Sequence, residues 1–383
     1  MVHQYWLVTL PILVLDAAQG VVAIPGSHAR KSNPSPPGLH VLPLIEDNSD
    51  DYHSWIAEVA AGTPPQKMKL NLDIAKSTTW FISDKTFAEC DGCNDGYYQL
   101  NKSKTSSPIL GHTAVSYGDP TTYPPSNQTF DLDFHKDKFN IAGVSIPKQV
   151  FGLFNPYKDE FSGIGGLALG PNVEHGYAPG KIYSSFLDNL VANKKIASRT
   201  YSIDLHEHGS KPGKPSIVLT GLRQTTPKGK NHASEVTSYE VHKNDSVFLL
   251  DSSNQYLRFR HSFVDPLYKT LGAVNDGHDA YFVPCEKRNM PGSWDFQFGD
   301  VTIKIPYNKI ITTQSADKGK TCWVGVLTTW KGQLVLGQPF LEAAYLAFDL
   351  DNKQVALAPP ANCGEKLVAF GSGPDAIPNL KGC

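Results

Sequence analysis

Two widely separated stretches each end an apolar, strand-forming run on an aspartate. The first is Leu70-Asn71-Leu72-Asp73-Ile74-Ala75-Lys76-Ser77, with Trp80 soon after. The second is Val247-Phe248-Leu249-Leu250-Asp251-Ser252-Ser253-Asn254. A carboxylate carried out of a buried strand is costly to desolvate unless a partner compensates it. A chain that repeats this costly feature in both halves points to a two-part β architecture and to acid–base chemistry at the strand ends.

The rest of the chain fits that frame. With 383 residues there is material for two lobes, each with its own core. Short apolar runs are broken by 32 glycines and 28 prolines, which reads as mostly β. Strand-like alternation covers residues 54–59, and the turn Gly62-Thr63-Pro64-Pro65-Gln66 leads into the strand of Asp73. A hairpin signal surrounds residues 114–120, and a glycine-punctuated apolar strand covers 163–170. The clearest helical spacing, Phe186, Leu187, Leu190 and Val191, lies within 182–193. The second half repeats the plan: strand, aspartate, short helix, β segments, then the apolar turn Leu334-Val335-Leu336-Gly337.

Charge balance narrows the partners. Lys and Arg total 35 against 37 Asp and Glu, so no basic excess suggests nucleic acid and no charge run suggests a membrane patch. The N-terminal run Tyr5 to Leu15 is too short to span a bilayer, and small residues follow it at Val21-Val22-Ala23. Residues 1–23 are therefore expected to be a secretory signal peptide and 24–45 a spacer or short pro-segment. Residues 46–203 and 204–383 are the expected N-terminal and C-terminal lobes. No later run has membrane-spanning length, so no stable membrane anchor is expected.

Six cysteines suit an oxidising compartment. Cys90 and Cys93 form C-x-x-C, a spacing that alone could mean redox chemistry or half a zinc site, but a structural disulfide in a surface loop is expected. No second pair or paired histidines follow it, so neither a metal nor a cofactor is expected. Cys285 and Cys322 could close a mid-sized loop, leaving Cys363 and Cys383 to pin the tail. Asn101, Asn127 and Asn244 each open a glycosylation sequon.

Taken in order, these motifs resemble the pepsin-like aspartic proteases. Gly62-Thr63-Pro64-Pro65-Gln66 is similar to the family's G-T-P-x-Q turn, and Asp73 with Trp80 has the spacing of D-T-G-S-x-x-x-W. Tyr117-Gly118-Asp119 resembles the flap tyrosine and its turn. Phe161 to Leu167 resembles F-D-G-I-L-G-L, and Leu334 to Leu341 with Phe348-Asp349 resembles I-L-G-D-x-F-L…F-D. The resemblance covers roughly residues 46–361. It implies an all-β, bilobal fold with a cleft between the lobes and a secreted or vacuolar monomer. It also implies an endopeptidase that activates water through an Asp73/Asp251 dyad while a flap carrying Tyr117 and Gly118 covers a peptide or protein ligand.

The chain departs from the family at both signatures. Where D-T/S-G-S/T is usual, it has Asp73-Ile74-Ala75-Lys76 and Asp251-Ser252-Ser253-Asn254. The hydroxyl after each aspartate normally bonds across to the other lobe; Ile74 has none, while Ser252 does. Ala75 is a small intrusion where glycine is usual, and Ser253 a larger one that brings a hydroxyl in need of a partner. The next hydroxyl normally bonds the outer carboxylate oxygen. Asn254 could imitate it, whereas Lys76 brings a cation near Asp73 and favours its ionised form. Gln338 replaces the aspartate of the late turn, Pro120 stiffens the flap, and Arg258 and Arg260 either add positive potential to the cleft or are solvated. Peptidase activity is therefore expected to be impaired. The alternatives are a cleft that binds a peptide or protein without cutting it, and one repurposed for a small molecule.

Overall fold

The computed structural model describes residues 12–14, 38–49, 52–83, 96–119, 126–155, 165–170, 183–205, 216–219, 221–224, 248–277, 280–298, 301–315, 320–329, 332–360, 366–374 and 376–377. Strands dominate, as the sequence led us to expect, and the described helices are short.

The first half is built on one eight-stranded sheet. Its order is Ile45–Ser49, Tyr52–Ala61, Gln66–Asp73, Gly165–Ala168, Trp80–Ile82, Val144–Phe154, Ser126–Ile141 and Ser107–Asp119. Tyr52–Ala61 also pairs with Ser126–Ile141 (Val59 opposite Ile141), so the sheet curls back on itself. The turn into Gln66–Asp73 begins at Gly62, whose φ of 93° a residue with a side chain rarely adopts. Along that strand Met68, Leu70 and Leu72 point into the core while Lys67 is exposed. By the same alternation Asp73 belongs with the lysines, yet it is 1% exposed. Ser252, from the other half of the chain, lies against its two neighbours, Leu72 and Ile74.

Trp80 sits in a small aromatic cluster beside the turn, 5.5 Å from Phe130 and 6.1 Å from Phe154 between ring centres. The helix Phe186–Ala192 begins at Ser185, whose hydroxyl accepts the Asp188 N–H while the Asp188 carboxylate accepts the Ser185 N–H. It buries Phe186, Leu187 and Leu190, three of the four apolar positions that its spacing marked, with Val191 partly buried.

A six-stranded sheet joins residues distant in sequence: Ile12–Val14, Gln354–Ala358, Tyr345–Asp349, Thr200–Asp204, Ser216–Leu219 and His40–Pro43. Ile12–Val14, inside the apolar N-terminal run, pairs in parallel with Val355–Leu357. The expected lobe boundary, 203/204, falls within Thr200–Asp204.

The second half carries a four-stranded sheet ordered Leu249–Leu250, Val335–Leu336, Leu257–Arg260, Val326–Thr329. It also holds a second four-stranded sheet (Val274–Asn275, Tyr281–Pro284, Thr321–Val324, Ile311–Ser315), the hairpin Ser293–Phe298/Val301–Pro306 and the strand pair Gly221–Gln224/Lys366–Ala369. Cys285 and Cys322 form the expected disulfide, bridging 37 positions. Cys90, Cys93, Cys363, Cys383 and the Asn244 sequon lie outside the described residues, as do Pro120 and residues 206–215 and 225–247.

Candidate active site

The two aspartates end strands built on one plan. Gln66–Asp73 runs parallel to Gly165–Ala168, with Leu72 opposite Leu167 and Asp73 opposite Ala168. After the turn the chain returns as Trp80–Ile82 on the far side of that same strand, antiparallel to it. In the second half Leu249–Leu250 runs parallel to Val335–Leu336, and the chain returns as Leu257–Arg260, antiparallel to it. Each aspartate thus sits at the mouth of a turn threaded by a third strand, so backbone amides converge on its carboxylate.

At the first turn Asp73 Oδ1 accepts the backbone N–H of Ala75 (3.0 Å) and of Lys76 (2.9 Å). Lys76 therefore meets Asp73 through its main chain. The Leu169 N–H donates to the Asp73 carbonyl (2.8 Å) and the Gly170 N–H to the Lys76 carbonyl (2.7 Å), tying the turn to the neighbouring strand. Thr79 Oγ1 accepts the Ala168 N–H at 3.1 Å. In the adjoining six-stranded sheet Tyr201 is fully buried and stacked on Phe348. Burial raises the pKa of its phenol, and the charge of Asp73 raises it further.

At the second turn Asp251 Oδ1 accepts the Ser253 N–H (3.0 Å) and the Ser253 hydroxyl (2.6 Å). The hydroxyl that looked like an intrusion has thus found its partner on the carboxylate. The Asn254 side-chain oxygen accepts the Tyr256 N–H (3.1 Å), which closes the turn on itself. Gly337 lies against this turn so closely that an added Cβ would stand 2.2 Å from the Tyr256 carbonyl and 2.4 Å from that of Asn254. No other residue fits there without moving the turn.

Ser252 joins the halves. Its hydroxyl donates to the Leu72 carbonyl (2.6 Å) and accepts the Ile74 N–H (3.1 Å), and all three residues are buried. Asp251 precedes Ser252, and Asp73 separates Leu72 from Ile74. Covalent geometry then holds the aspartate Cα atoms within about 12 Å of each other. The reciprocal bond is missing, since Ile74 offers only hydrocarbon.

Sequence reasoning missed the role of Gln338. It is 2% exposed; its side-chain amide donates to the Ser252 carbonyl (3.0 Å) and its backbone N–H to the Asn254 carbonyl (2.8 Å). The departure from aspartate was visible, but not what it touched. Arg258 is 5% exposed, which excludes the solvated reading; Arg260 Nη1 donates to the Gly332 carbonyl at 3.0 Å. Tyr117 and Gly118 lie on Ser107–Asp119, opposite Gln128 and Asn127 of the hairpin. Asn101 is exposed in the single turn Leu100–Lys102, and Asn127 sits on the hairpin strand.

A model of the eukaryotic aspartyl proteases matches residues 54–360, which include both turns, the hairpin and Gln338. The chain belongs to the eukaryotic aspartyl protease family. Among curated relatives, it is 26% identical over 347 residues to candidapepsin of Candida tropicalis, covering 82% of this chain and 83% of that one. A probable aspartic-type endopeptidase, opsB, of Aspergillus oryzae is 22% identical over 373 residues (87% and 74%). Mouse gastricsin is 24% identical over 346 residues (80% and 81%). In this member of the family the altered signatures form backbone bonds to both carboxylates and a side-chain bond from Ser253. No helix among the described residues is long and apolar enough to cross a membrane.

Proposed function

We propose that this aspartyl protease homologue hydrolyses peptide bonds in the secretory pathway or outside the cell, as a monomer, with Asp73 and Asp251 as its dyad and Tyr117 and Gly118 on the flap. The observation that carries this reading is the amide cradle. Asp73 Oδ1 accepts two backbone N–H groups and Asp251 Oδ1 one, so each turn orients its carboxylate without the consensus side chains. Ala75 and Ser253 give their amides as glycine would, and Ser252 still bridges the halves.

The bonding also bears on how the two carboxyl groups would work together. A backbone N–H can only donate, so both Oδ1 atoms are committed acceptors. In this reading the dyad shares one proton between its two carboxyl groups. One carboxylate takes a proton from water as the water oxygen attacks the carbonyl carbon. The other, protonated, gives its proton to the carbonyl oxygen. The first carboxyl then passes that proton to the nitrogen as the C–N bond breaks, and the second takes back a proton from the diol as the new carboxyl product forms. The bond that Ile74 cannot make is worth about 1 kcal/mol, roughly five-fold in rate if it is felt wholly in the transition state. That argues for a slower enzyme, not a dead one.

A second reading rests on Ser253. Its side chain is exposed and its hydroxyl holds Asp251 Oδ1, which suits a cleft that binds a peptide without cutting it. Incubating the mature protein with an unfolded protein substrate from pH 3 to 7 separates the two. Cleavage that is lost in Asp73→Asn, and blocked by a peptide bearing a hydroxyl on a tetrahedral carbon in place of the scissile carbonyl, supports the first. Tight binding of that peptide with no cleavage supports the second. Neither binding nor cleavage would overturn both.

A further inference from the structure

We infer that Gln338 is a positioning residue for Asp251, acting as a two-pronged donor that fixes the turn of residues 251–254. This rests on the reading of Asp251 as half of the dyad. Between them the two prongs, to the carbonyls of Ser252 and Asn254, bracket Ser253. Ser253 supplies both of the bonds that Asp251 Oδ1 accepts, and Ser252 supplies the bridge to the first half. The side-chain prong therefore holds the residue that joins Asp251 to Asp73, and the backbone prong holds the far end of the same turn.

The chemistry of the position explains why an amide stands there. The Ser252 carbonyl is an acceptor and needs a donor. An ionised carboxylate in the same place would set oxygen against oxygen in a buried site, which is strongly unfavourable. A neutral carboxylic acid could donate, but only when protonated. The amide donates whatever the pH, so the Asp251 turn keeps its shape across the range in which a buried acid would titrate. Gly337 makes the approach possible by bringing the following residue flat against the turn.

Other charged and titratable groups on the elements packed against the helix Gln338–Ala343 must be weighed in any pH experiment. They are Glu342 on the helix itself, paired with Lys309 at 2.8 Å, Lys304 on Val301–Pro306, Arg258 and Arg260 on Leu257–Arg260, Tyr201 and Asp204 on Thr200–Asp204, and Tyr345 and Asp349 on Tyr345–Asp349. All are shared by the wild type and the variants, so a difference between their pH profiles belongs to position 338.

The test compares the wild type with Gln338→Glu, Gln338→Leu and Gln338→Asn at pH 4 and pH 7. Two quantities are read: affinity for the hydroxyl-bearing peptide, and exchange of the Ser253 amide hydrogen. Q338E should bind about ten-fold to a hundred-fold more weakly than the wild type at pH 7, with faster Ser253 exchange. At pH 4, where the acid can donate, it should return to within about three-fold. Q338L, and Q338N with its shorter reach, should be weakened equally at both pH values. A constant ratio of Q338E to wild type across pH would overturn the proposal, as would wild-type binding and exchange in Q338L. If the wild type does not bind the peptide at all, the dyad reading fails, while Ser253 protection still decides whether Gln338 holds the turn.

Discussion

Replacing Ser252 by alanine isolates the bond that joins the two halves. The change deletes one oxygen and leaves two buried groups without it, the Leu72 carbonyl at 2.6 Å and the Ile74 N–H at 3.1 Å. Leu72 is 1% exposed and Ile74 4%, so water reaches neither without an opening. Each stranded buried group costs about 1–3 kcal/mol, so the pair costs roughly 2–6 kcal/mol. At about 2–4 °C per kcal/mol for chains of a few hundred residues, the melting temperature should fall by roughly 4–24 °C. Ser252→Thr keeps the hydroxyl and should lose less. Differential scanning calorimetry at pH 5 measures the stability, and affinity for the hydroxyl-bearing peptide measures alignment of the aspartates. S252A should lower both, and adding Ile74→Thr should recover part of the loss by offering a hydroxyl from the other side. A melting temperature within about 1 °C of the wild type, with unchanged affinity, would refute the claim that this bond holds the aspartates together.

Three further outcomes follow from the same geometry. Ser253→Gly should lower peptidase activity even though it restores the family glycine, because it removes the 2.6 Å bond to Asp251; a rise in kcat/KM would contradict this. Gly337→Ala should destabilise the second half by about 1–3 kcal/mol, read by urea unfolding, since its Cβ would meet two backbone carbonyls that cannot swing aside. Asp137 supplies a pH test away from the site. Burial pushes its carboxyl up, but hydrogen bonds from Ser103, Thr105, Tyr98 and the Lys138 N–H outweigh that and hold it below its ordinary 3.8, while the Tyr98 phenol is pushed up to about 12. A depressed carboxyl contributes stability above its unfolded pKa and loses it as pH falls through the folded one. Asp137→Asn should therefore cost most above about pH 4, and the gap to wild type should close below it in a melting-temperature series; a gap that stays constant or widens toward pH 2 would contradict the assignment.

The fold was legible because its signals are sequential. Apolar runs ending in Asp73 and Asp251, the Gly62 turn, and the glycine-rich strands near residues 166 and 336 mark backbone geometry that residue type largely dictates. Side-chain direction inside the turns was not legible. Ser253 reads as a steric fault in the sequence because nothing there says that its hydroxyl swings back onto Asp251. Asn254 reads as a stand-in donor, yet an asparagine can also close a turn on its own backbone, and here its oxygen goes to Tyr256. Gln338 lies 84 or more positions beyond the two carbonyls it bonds, a pairing that only the folded chain creates. For Arg258 the sequence leaves open a solvated side chain or one that adds charge to the cleft; its strand carries it inside between Leu257 and Phe259, each no more than 1% exposed.

A crystal structure of the mature protein with the hydroxyl-bearing peptide bound is the most direct measurement of the central claim, that one site joins these two carboxylates. The account predicts the ligand hydroxyl within hydrogen-bond distance, about 3 Å, of a carboxyl oxygen of both Asp73 and Asp251, with the Ser252 bridge intact. A hydroxyl touching one aspartate alone, with the other turned into its own lobe, would contradict it.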